Sequence, residues 1–309
     1  MTQSSVTFTI EPVEPYRLDL TAWILRRRPE NILDLWDGAT YRRALNTATG
    51  PVLLEVQQAG SSGPPTLAVT ATGEGVAEDD IPLLRETVAA MLGTGVDLSG
   101  FERLAHEHPA LETLVSSFRG AKPTRYPTIY EGLINAIVCQ QITLTFGQRI
   151  LGRLIEACGR PIDVAGQRYY AFPEPEGFLT MSPEALREIG FSRQKTSAAA
   201  ELSQKLVDGT LDLETIRDLP DGEAVARLRE LRGVGRWTAE YVLLRVLGRI
   251  HIFPGDDVGG RNNVQHWLGI EGKLDYDGIR DVLAAWGDYA GLLYFYTLLM
   301  RLDEKGSLS

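Results

Sequence analysis

The stretch LRGVGRWTAEYVLLRVLGRIHIFPGDDVGGRN, residues 231–262, decides the fold of this 309-residue chain. It places Gly233 and Gly235 directly before a run with helical spacing of apolar residues, and two adjacent aspartates after a Pro-Gly turn. The preceding run, DGEAVARLREL, has helical spacing too, so only RGVG separates two predicted helices. We therefore predict a two-helix hairpin with its turn at 231–236, then a loop, then a third helix that begins near Asp257.

The second helix of this hairpin has a regular apolar pattern. Its apolar residues recur at helical spacing: Ala239, Val242, Leu243, Val246 and Leu247. This spacing predicts an amphipathic helix with one buried stripe. Gly248 is expected to end it.

The turn of the hairpin is suited to bind a phosphate. Glycine has no Cβ, so its backbone can turn tightly and approach another molecule closely. The first N–H groups of the second helix, from Gly235 to Trp237, are free to bind an anion with the helix dipole behind them. Arg232 and Arg236 flank the turn, and window 229–261 holds six arginines against four acidic residues. The G-x-G alone also fits a plain helical hairpin whose glycines only reverse the chain.

The adjacent aspartates Asp256 and Asp257 supply two carboxylates at a helix start. The usual role of an aspartate there is to cap the helix, and either residue can cap while the other faces a cleft. A carboxylate held near a phosphate-binding hairpin has a second use, because it can stabilise positive charge that develops on the sugar of the bound strand.

The composition of the whole chain limits its partners and its location. A net charge of −10 argues mildly against a nucleic-acid partner unless the basic residues cluster on one face. Two cysteines, Cys139 and Cys158, exclude a four-cysteine iron–sulfur cluster and argue against a disulfide framework. Because no apolar run of 18 residues and no signal-like start are found, we expect no membrane span and a cytoplasmic location.

The chain divides into two regions of different pattern. Residues 1–97 mix alternating strand patterns with two helical runs, which predicts a small α+β domain. Residues 98–309 show successive helical patterns, interrupted by one long irregular stretch at 167–180. The predicted fold class is therefore mainly α, with a mixed domain in front of a helical one.

The segment LRGVGRWTAEYVLLR…FPGDD resembles the helix-hairpin-helix, Gly-Pro-Asp (HhH-GPD) superfamily of DNA glycosylases, and within it the bacterial 3-methyladenine DNA glycosylase II (AlkA) type. The runs TIYEGLINAIVCQQI and PEALREIGFSRQKTSAAAEL occur in the family's order, so the resemblance covers most of the chain. It implies an all-helical core of two lobes with the active-site cleft between them, preceded by a small α+β (TBP-like) domain. It also implies a bacterial, nucleoid-associated monomer that acts in base excision repair on damaged bases flipped out of double-stranded DNA.

The resemblance also assigns roles to single residues. Asp257 matches the catalytic aspartate, although a shift of one residue would exchange it with Asp256. Lyase members carry a lysine two residues after the second hairpin glycine, where this chain has Trp237. Tryptophan cannot form their Schiff base, so the resemblance implies a monofunctional enzyme. The matching pocket aromatics are Trp237, Tyr241 and Phe295, whose ring faces would attract cationic alkylated purines; core packing explains Phe295 equally well.

Three further features follow from the resemblance. Gln140 and Gln141 match the wedge that fills the gap left by a flipped base, with helix capping as the alternative. A structural Na⁺ or K⁺ at the hairpin, with no other cofactor, would be held by main-chain carbonyls that match in position: Arg229, Leu231 and Val234. The sequence departs from the family at Val258-Gly259-Gly260, which predicts a more open pocket.

Several functions remain compatible with the sequence. The first is excision of alkylated purines such as 3-methyladenine and 7-methylguanine. A glycosylase for deaminated or oxidised purines would have the same fold, and a catalytically silent HhH DNA-binding protein would need the hairpin but no carboxylate. A helical protein with no role at DNA fits the acidic composition, and the order of the matching segments argues against it.

Overall fold

The computed structural model describes residues 3–59 and 64–308 of the chain. The strands are β1 (Gln3–Ile10), β2 (Leu35–Trp36), β3 (Thr40–Thr47), β4 (Gly50–Ala59), β5 (Thr66–Glu74), β6 (Arg160–Val164) and β7 (Gln167–Ala171). The first seven helices are α1 (Leu18–Arg26), α2 (Ile81–Met91), α3 (Ser99–His106), α4 (Pro109–Ser117), α5 (Ile129–Cys139), α6 (Leu144–Cys158) and α7 (Pro175–Leu179). The remaining helices are α8 (Pro183–Glu188), α9 (Arg193–Val207), α10 (Asp221–Arg229), α11 (Arg236–Arg245), α12 (Val258–Leu268), α13 (Tyr276–Leu283) and α14 (Leu292–Asp303). This order confirms the predicted class, a mainly helical protein with a small mixed N-terminal part.

The sheet is built from both regions of the chain. Its strand order is β1-β5-β4-β3-β7-β6, and β2 pairs with β3. The N-terminal strands pair antiparallel, whereas β7 joins β3 in parallel with Ala44 opposite Ala171. The prediction that 98–309 is all-helical, with 167–180 irregular, is therefore wrong for residues 160–171. These residues form a β-hairpin that adds an edge to the N-terminal sheet.

The β6–β7 hairpin was missed because its signals are weak. Its turn residues, Ala165 and Gly166, both have positive φ values, 51° and 79°. A turn of this kind favours Asn-Gly or Asp-Gly, and alanine in the first position carries no turn signal. Ile162 and Tyr169 are buried in a cluster with Leu53 of β4, and such a contact cannot be predicted from local sequence.

Helix α11 lies at the centre of the helical region and is not amphipathic. All residues from 238 to 245 are buried, so the predicted single apolar stripe is wrong. The helix packs against α5 and α10, and it buries even Glu240 and Arg245. The Arg245 guanidinium lies over the rings of Tyr126 and Phe295, at 5.2 and 5.1 Å from their centroids.

A buried ionic cluster fastens the sheet to the helical region. Arg43 on β3 donates to Asp34 at 2.7 Å and to Glu131 on α5 at 2.5 Å, and all three side chains are almost fully buried. Tyr41 donates a further hydrogen bond to Asp34. Burial works to raise the pKa of Asp34, but Arg43 and the hydrogen bonds hold it below its usual value. The cluster fixes α5, and with it the loop that follows α5.

Within the described residues, no single helix combines the length and apolar character needed to cross a membrane. The bent pair Tyr276–Tyr289 and Leu292–Asp303 meets that requirement only when its two halves are counted together.

Candidate active site

The two glycines of the hairpin differ in backbone conformation and in the space around them. Gly233 has a φ of +77°, and a Cβ there would lie 2.8 Å from the Cβ of Ala198 on α9. It is therefore needed both for the turn and for close packing. Gly235 has an ordinary φ of −92°, begins α11 without a side-chain cap, and has open space where a Cβ would point. The open side of the hairpin lies at Gly235, where the phosphate site was predicted.

A cleft of about 840 Å³ opens beside this hairpin. Its walls come from the start of α11, the start of α12, the α5–α6 loop, α14 and the residues just after α1. This volume falls in the range of small-molecule and cofactor sites. Residues from the N-terminal region and from the last helix thus meet the hairpin at one place.

Asp256 and Asp257 both line the cleft, and Asp257 has a carboxylate oxygen that no cation among the described residues engages. Its Oδ1 accepts the Gly260 N–H at 2.7 Å and caps α12. Its Oδ2 accepts from Trp237 Nε1 at 3.0 Å and from the Tyr294 hydroxyl at 3.1 Å. One aspartate therefore performs both roles that the sequence distributed between two, and its second oxygen is aimed by two aromatic donors.

Asp256 is committed to ion pairs instead. Its carboxylate receives Arg236 at 2.8 Å and Arg261 at 3.8 Å. The Arg236 guanidinium also stacks on the Tyr276 ring at 3.4 Å. The geometry therefore favours Asp257 as the reactive carboxylate, because Asp256 is engaged by two arginines.

The loop before these aspartates is held by a buried acid on α11. Glu240 accepts the Tyr276 hydroxyl at 2.6 Å and the Gly255 N–H at 3.2 Å. Burial raises the pKa of Glu240, and the two hydrogen bonds only partly offset this. The Pro-Gly turn is thereby anchored directly behind Asp256 and Asp257.

The predicted pocket aromatics fall into two groups. Trp237 and Tyr241 line the cleft, with ring centroids 5.6 Å apart. Phe295 does not line it: its side chain is 1% exposed and packs under Arg245. The neighbouring Tyr294 lines the cleft instead, so the prediction for Phe295 is wrong by one residue. In a helix that is apolar on every face, sequence cannot tell which residue points into a cleft.

The Val258-Gly259-Gly260 segment has a steric explanation. A Cβ at Gly260 would lie 3.0 Å from the Tyr294 ring and 3.2 Å from the Phe253 ring. Glycine at this position therefore lets Tyr294 approach Asp257. The sequence predicted a more open pocket here, and the space is used by the Tyr294 ring.

The two glutamines after α5 differ in their surroundings. Gln140 Nε2 donates to the Gly233 carbonyl at 2.8 Å and to the Thr238 hydroxyl at 3.0 Å, which ties the loop to the hairpin. Gln141 is exposed at the cleft and has a φ of +57°, a strained value for a residue other than glycine. Lys195 supports the loop by donating to the Val138 and Gln140 carbonyls. Gln141 is thus presented to a ligand, and Gln140 is held.

The hairpin arginine and the residues proposed for a cation differ in exposure, because Leu231 and Val234 are buried. Arg232 is 60% exposed and meets only Glu201, at 3.7 Å. The Leu231 carbonyl accepts the Val234 N–H at 3.1 Å within the turn. Among the described residues no cluster of three or more His, Cys, Asp or Glu side chains could hold a metal.

Sequence reasoning missed Arg27, which follows α1 and lines the cleft. Its side chain is 5% exposed and donates to three tyrosine hydroxyls: Tyr126 at 3.3 Å, Tyr241 at 2.9 Å and Tyr294 at 3.2 Å. The run Arg26-Arg27-Arg28 was the available signal, because three consecutive arginines at a helix end are more than a cap requires.

Comparisons with known proteins identify the family of the chain. A profile described as HhH-GPD superfamily base excision DNA repair protein matches residues 134–287. A DNA-3-methyladenine glycosylase of Bacillus subtilis is 28% identical over 200 residues, which make up 65% of this chain and 66% of that protein.

Two solved structures share the fold over nearly the whole chain. The 3-methyladenine DNA-glycosylase from Archaeoglobus fulgidus has a TM-score of 0.83 and 24% identity, covering 98% of this chain and 100% of that one. An 8-oxoguanine glycosylase/lyase of Clostridium acetobutylicum, solved with double-stranded DNA, has a TM-score of 0.76 and 17% identity, covering 99% of each chain. At these identities the likeness establishes the architecture, including the N-terminal sheet.

Proposed function

The chain belongs to the HhH-GPD superfamily of base excision DNA repair proteins, and we propose that it is a monofunctional glycosylase for alkylated purines in double-stranded DNA. The observation that carries the proposal is the second oxygen of Asp257. It faces a base-sized cleft and is oriented by Trp237 and Tyr294 beside a phosphate-binding hairpin. The similarity to DNA-3-methyladenine glycosylases supports the choice of substrate.

The proposed reaction breaks the C1′–N9 bond of a purine nucleotide. The bonding electrons leave with the base, and positive charge develops on C1′ and the ring oxygen of the sugar. Asp257 Oδ2 would lie against that charge. Because its two donors fix it before substrate binds, little reorganisation is needed in the transition state. Water then adds to C1′ and releases a proton, which leaves an abasic site.

Access to the bond requires the nucleotide to leave the duplex. A flipped base would enter the cleft against Trp237 and Tyr241, whose ring faces attract a cationic purine by about 0.5–2 kcal/mol each. Gln141 would occupy the vacated position and hydrogen-bond the orphaned partner base. The free N–H groups at Gly235 and the exposed Arg232 would hold phosphates beside the lesion.

The absence of a lyase step is supported by the residues around the cleft. Within the described parts of the chain, no lysine lines it. The position of the lyase lysine holds Trp237, whose indole N–H is bound to Asp257. The strand should therefore remain intact after base release.

The remaining assignments are part of the same proposal. The enzyme would act as a monomer in the bacterial cytoplasm and need no cofactor for chemistry. The proposed ligands of Na⁺ or K⁺ are the carbonyl oxygens of Arg229, Leu231 and Val234 at the hairpin. Carbonyl oxygens are hard, neutral ligands of the type that these ions prefer. Among the described residues, no group of three or more His, Cys, Asp or Glu side chains could bind the ion instead. Such an ion would neutralise a nearby phosphate and take no part in bond breaking.

The test is base release from duplex DNA treated with a simple methylating agent. Released bases are identified by chromatography, and the strands are examined before and after alkali. We expect 3-methyladenine and 7-methylguanine from the wild type, none from Asp257→Asn, and strand breaks only after alkali. Breaks without alkali would contradict the monofunctional assignment, and equal release by both proteins would contradict the role of Asp257.

A further inference from the structure

Arg27 brings a buried positive charge to the cleft from outside the helical region. It is the first residue after α1 and has a φ of +58°, an unusual conformation that turns the chain at the cleft wall. Its side chain is 5% exposed, so solvent screens its charge poorly.

The charge of Arg27 has no carboxylate partner among the described residues. Its hydrogen bonds go to the neutral hydroxyls of Tyr126, Tyr241 and Tyr294, and its Nε has no hydrogen-bond partner. Arg43 provides the contrast, because its equally buried guanidinium meets two carboxylates. Burying an uncompensated cation is costly, and such groups concentrate at functional sites.

The position of Arg27 relative to Asp257 gives the charge a direction. The Tyr294 hydroxyl accepts from Arg27 Nη2 and donates to Asp257 Oδ2, so one hydroxyl separates the cation from the carboxylate. Asp257 would serve the sugar, and Arg27 donates a hydrogen bond across the cleft to the hydroxyl of Tyr241, against whose ring the base would bind. The pair would then act as a fixed dipole, with its negative end at the sugar and its positive end at the base.

This dipole acts differently on charged and neutral bases. Cleavage moves positive charge from base to sugar in either case, so the dipole assists the chemical step of both. A cationic base, however, must first bind close to Arg27, whose positive charge repels it. A neutral base binds without this repulsion. A neutral base leaves as an anion, which Arg27 stabilises before the base takes up a proton, whereas a cationic base leaves neutral.

We propose that Arg27 determines selectivity by favouring lesion bases that are neutral when bound, such as a deaminated purine, over cationic alkylated ones. The proposal rests on the glycosylase function proposed above. It predicts that the enzyme excises neutral lesions in addition to cationic ones, and that Arg27 affects the two classes through different kinetic constants.

The test measures single-turnover rates and half-saturating enzyme concentrations on two duplexes. One carries a single cationic 7-methylguanine and the other a single neutral hypoxanthine. For Arg27→Met we expect the maximal rate to fall at least about tenfold on both. The half-saturating concentration should fall on 7-methylguanine and stay unchanged on hypoxanthine, so the ratio of rate to half-saturation falls more for the neutral base.

Two variants control for charge and for structure. Arg27→Lys keeps the charge and should preserve the preference between the two bases. Arg26→Met alters the preceding arginine, which stacks on Trp23 and does not line the cleft, and should change neither constant. If the half-saturating concentration in Arg27→Met changes by the same factor on both duplexes, the role of Arg27 is merely structural and the proposal is overturned.

Wild-type binding keeps the proposal testable if Arg27→Met fails to fold. Duplexes with 2′-fluoro nucleotides resist cleavage, so their affinity reports binding alone. We expect the hypoxanthine duplex to bind at least as tightly as the 7-methylguanine duplex, and clearly tighter binding of the cationic one would overturn the proposal. If the wild type cleaves neither base, the proposed function and this inference both fail; cleavage of both with parallel changes removes only the role of Arg27.

Discussion

The two walls of the cleft differ in how they are built. The hairpin wall, residues 231–262, is continuous in sequence and contains the proposed phosphate site, Trp237 and Asp257. The opposite wall joins Arg27 from the N-terminal region to Tyr294 from the last helix, residues that are 267 positions apart. The hairpin wall is a local motif that can be recognised in the sequence. The opposite wall supplies the groups that orient the Asp257 carboxylate and place a positive charge near it.

This difference suggests that the two walls carry separate tasks. The hairpin wall would decide whether a base is released at all. The opposite wall would decide how fast it is released and which base is preferred, because its groups reach Asp257 only through the Tyr294 hydroxyl. Mutations on the two walls therefore test this separation of tasks.

The largest effect is expected on the hairpin wall. Asp257→Asn should reduce single-turnover base release about 10³-fold or more, since the developing charge on the sugar loses its counter-charge. Asp256→Asn should slow base release less than about tenfold, because it frees Arg236 and leaves the Asp257 carboxylate unchanged. The reverse ranking would show that Asp256 is the reactive aspartate and that the assignment of the catalytic position is wrong by one residue.

The next effect tests the foundation of the opposite wall. Arg43→Met leaves Asp34 and Glu131 buried without their cation, and should lower the free energy of unfolding by about 3–5 kcal/mol in urea titration. Arg42→Met, on the same strand with partly exposed partners, is the matched control and should cost about 1 kcal/mol or less. Equal losses would mean that the buried cluster does not join sheet and helices.

The two hairpin glycines should separate stability from binding. Gly233→Ala places a Cβ 2.8 Å from Ala198 at a φ of +77°, so the free energy of unfolding should fall by about 1–3 kcal/mol. Gly235→Ala meets open space and should cost less than about 1 kcal/mol, yet weaken binding to duplex DNA by obstructing the phosphate. Thermal melts and fluorescence anisotropy measure the two quantities. Loss of binding by Gly233→Ala alone would place the phosphate elsewhere.

A smaller effect is expected where the two walls meet. Tyr294→Phe removes one donor to Asp257 while keeping the ring, and should slow base release by about tenfold with little change in stability. Tyr296→Phe loses a hydroxyl that contacts the Ala121 carbonyl at 3.4 Å, away from the cleft, and should leave the rate unchanged. An unchanged rate in Tyr294→Phe would mean that the opposite wall does not act through Asp257.

The smallest effect concerns the loop between the walls. Gln141→Gly relieves a left-handed backbone and should stabilise the fold by up to about 1 kcal/mol. Base release should slow a few-fold, because nothing then fills the gap left by the flipped base. Gln140→Gly should instead destabilise the loop, since it loses two hydrogen bonds to the hairpin side. A Gln141→Gly variant as fast as the wild type would remove the wedge role.

Sequence was sufficient for the parts of the site that depend on local pattern. Periodicity, glycine spacing and the aspartate pair predicted the hairpin, the helix that begins after Asp257 and the mainly α class. It failed where packing decides the outcome. Helix α11 is surrounded by other elements and buried on all sides, so its apolar stripe did not mark one buried face opposite an exposed one. The rotation of α14 about its axis points Tyr294 into the cleft and Phe295 into the core, and this rotation depends on packing.

The opposite wall lay beyond local pattern for the same reason. The three consecutive arginines at the end of α1 do not show which of them faces a site, and only the tertiary contacts with Tyr241 and Tyr294 give Arg27 a role. Strands β6 and β7 had neither a turn signal nor enough length to be recognised. The position of the N-terminal region against the cleft therefore became visible only when the sheet was assembled.

The parallel pairing of β3 with β7 also constrains how the protein is made. The N-terminal sheet cannot be completed until residue 171 has left the ribosome, although β1 to β5 are finished by residue 74. During that interval β3 exposes the part of its edge that β2 does not pair, and the β6–β7 hairpin does not yet cover the apolar residues Ala44 and Leu53. At typical synthesis speeds the interval lasts several seconds to tens of seconds. A chaperone that shields this edge during translation would raise the yield of active protein, and a polypeptide truncated before residue 160 would aggregate through it.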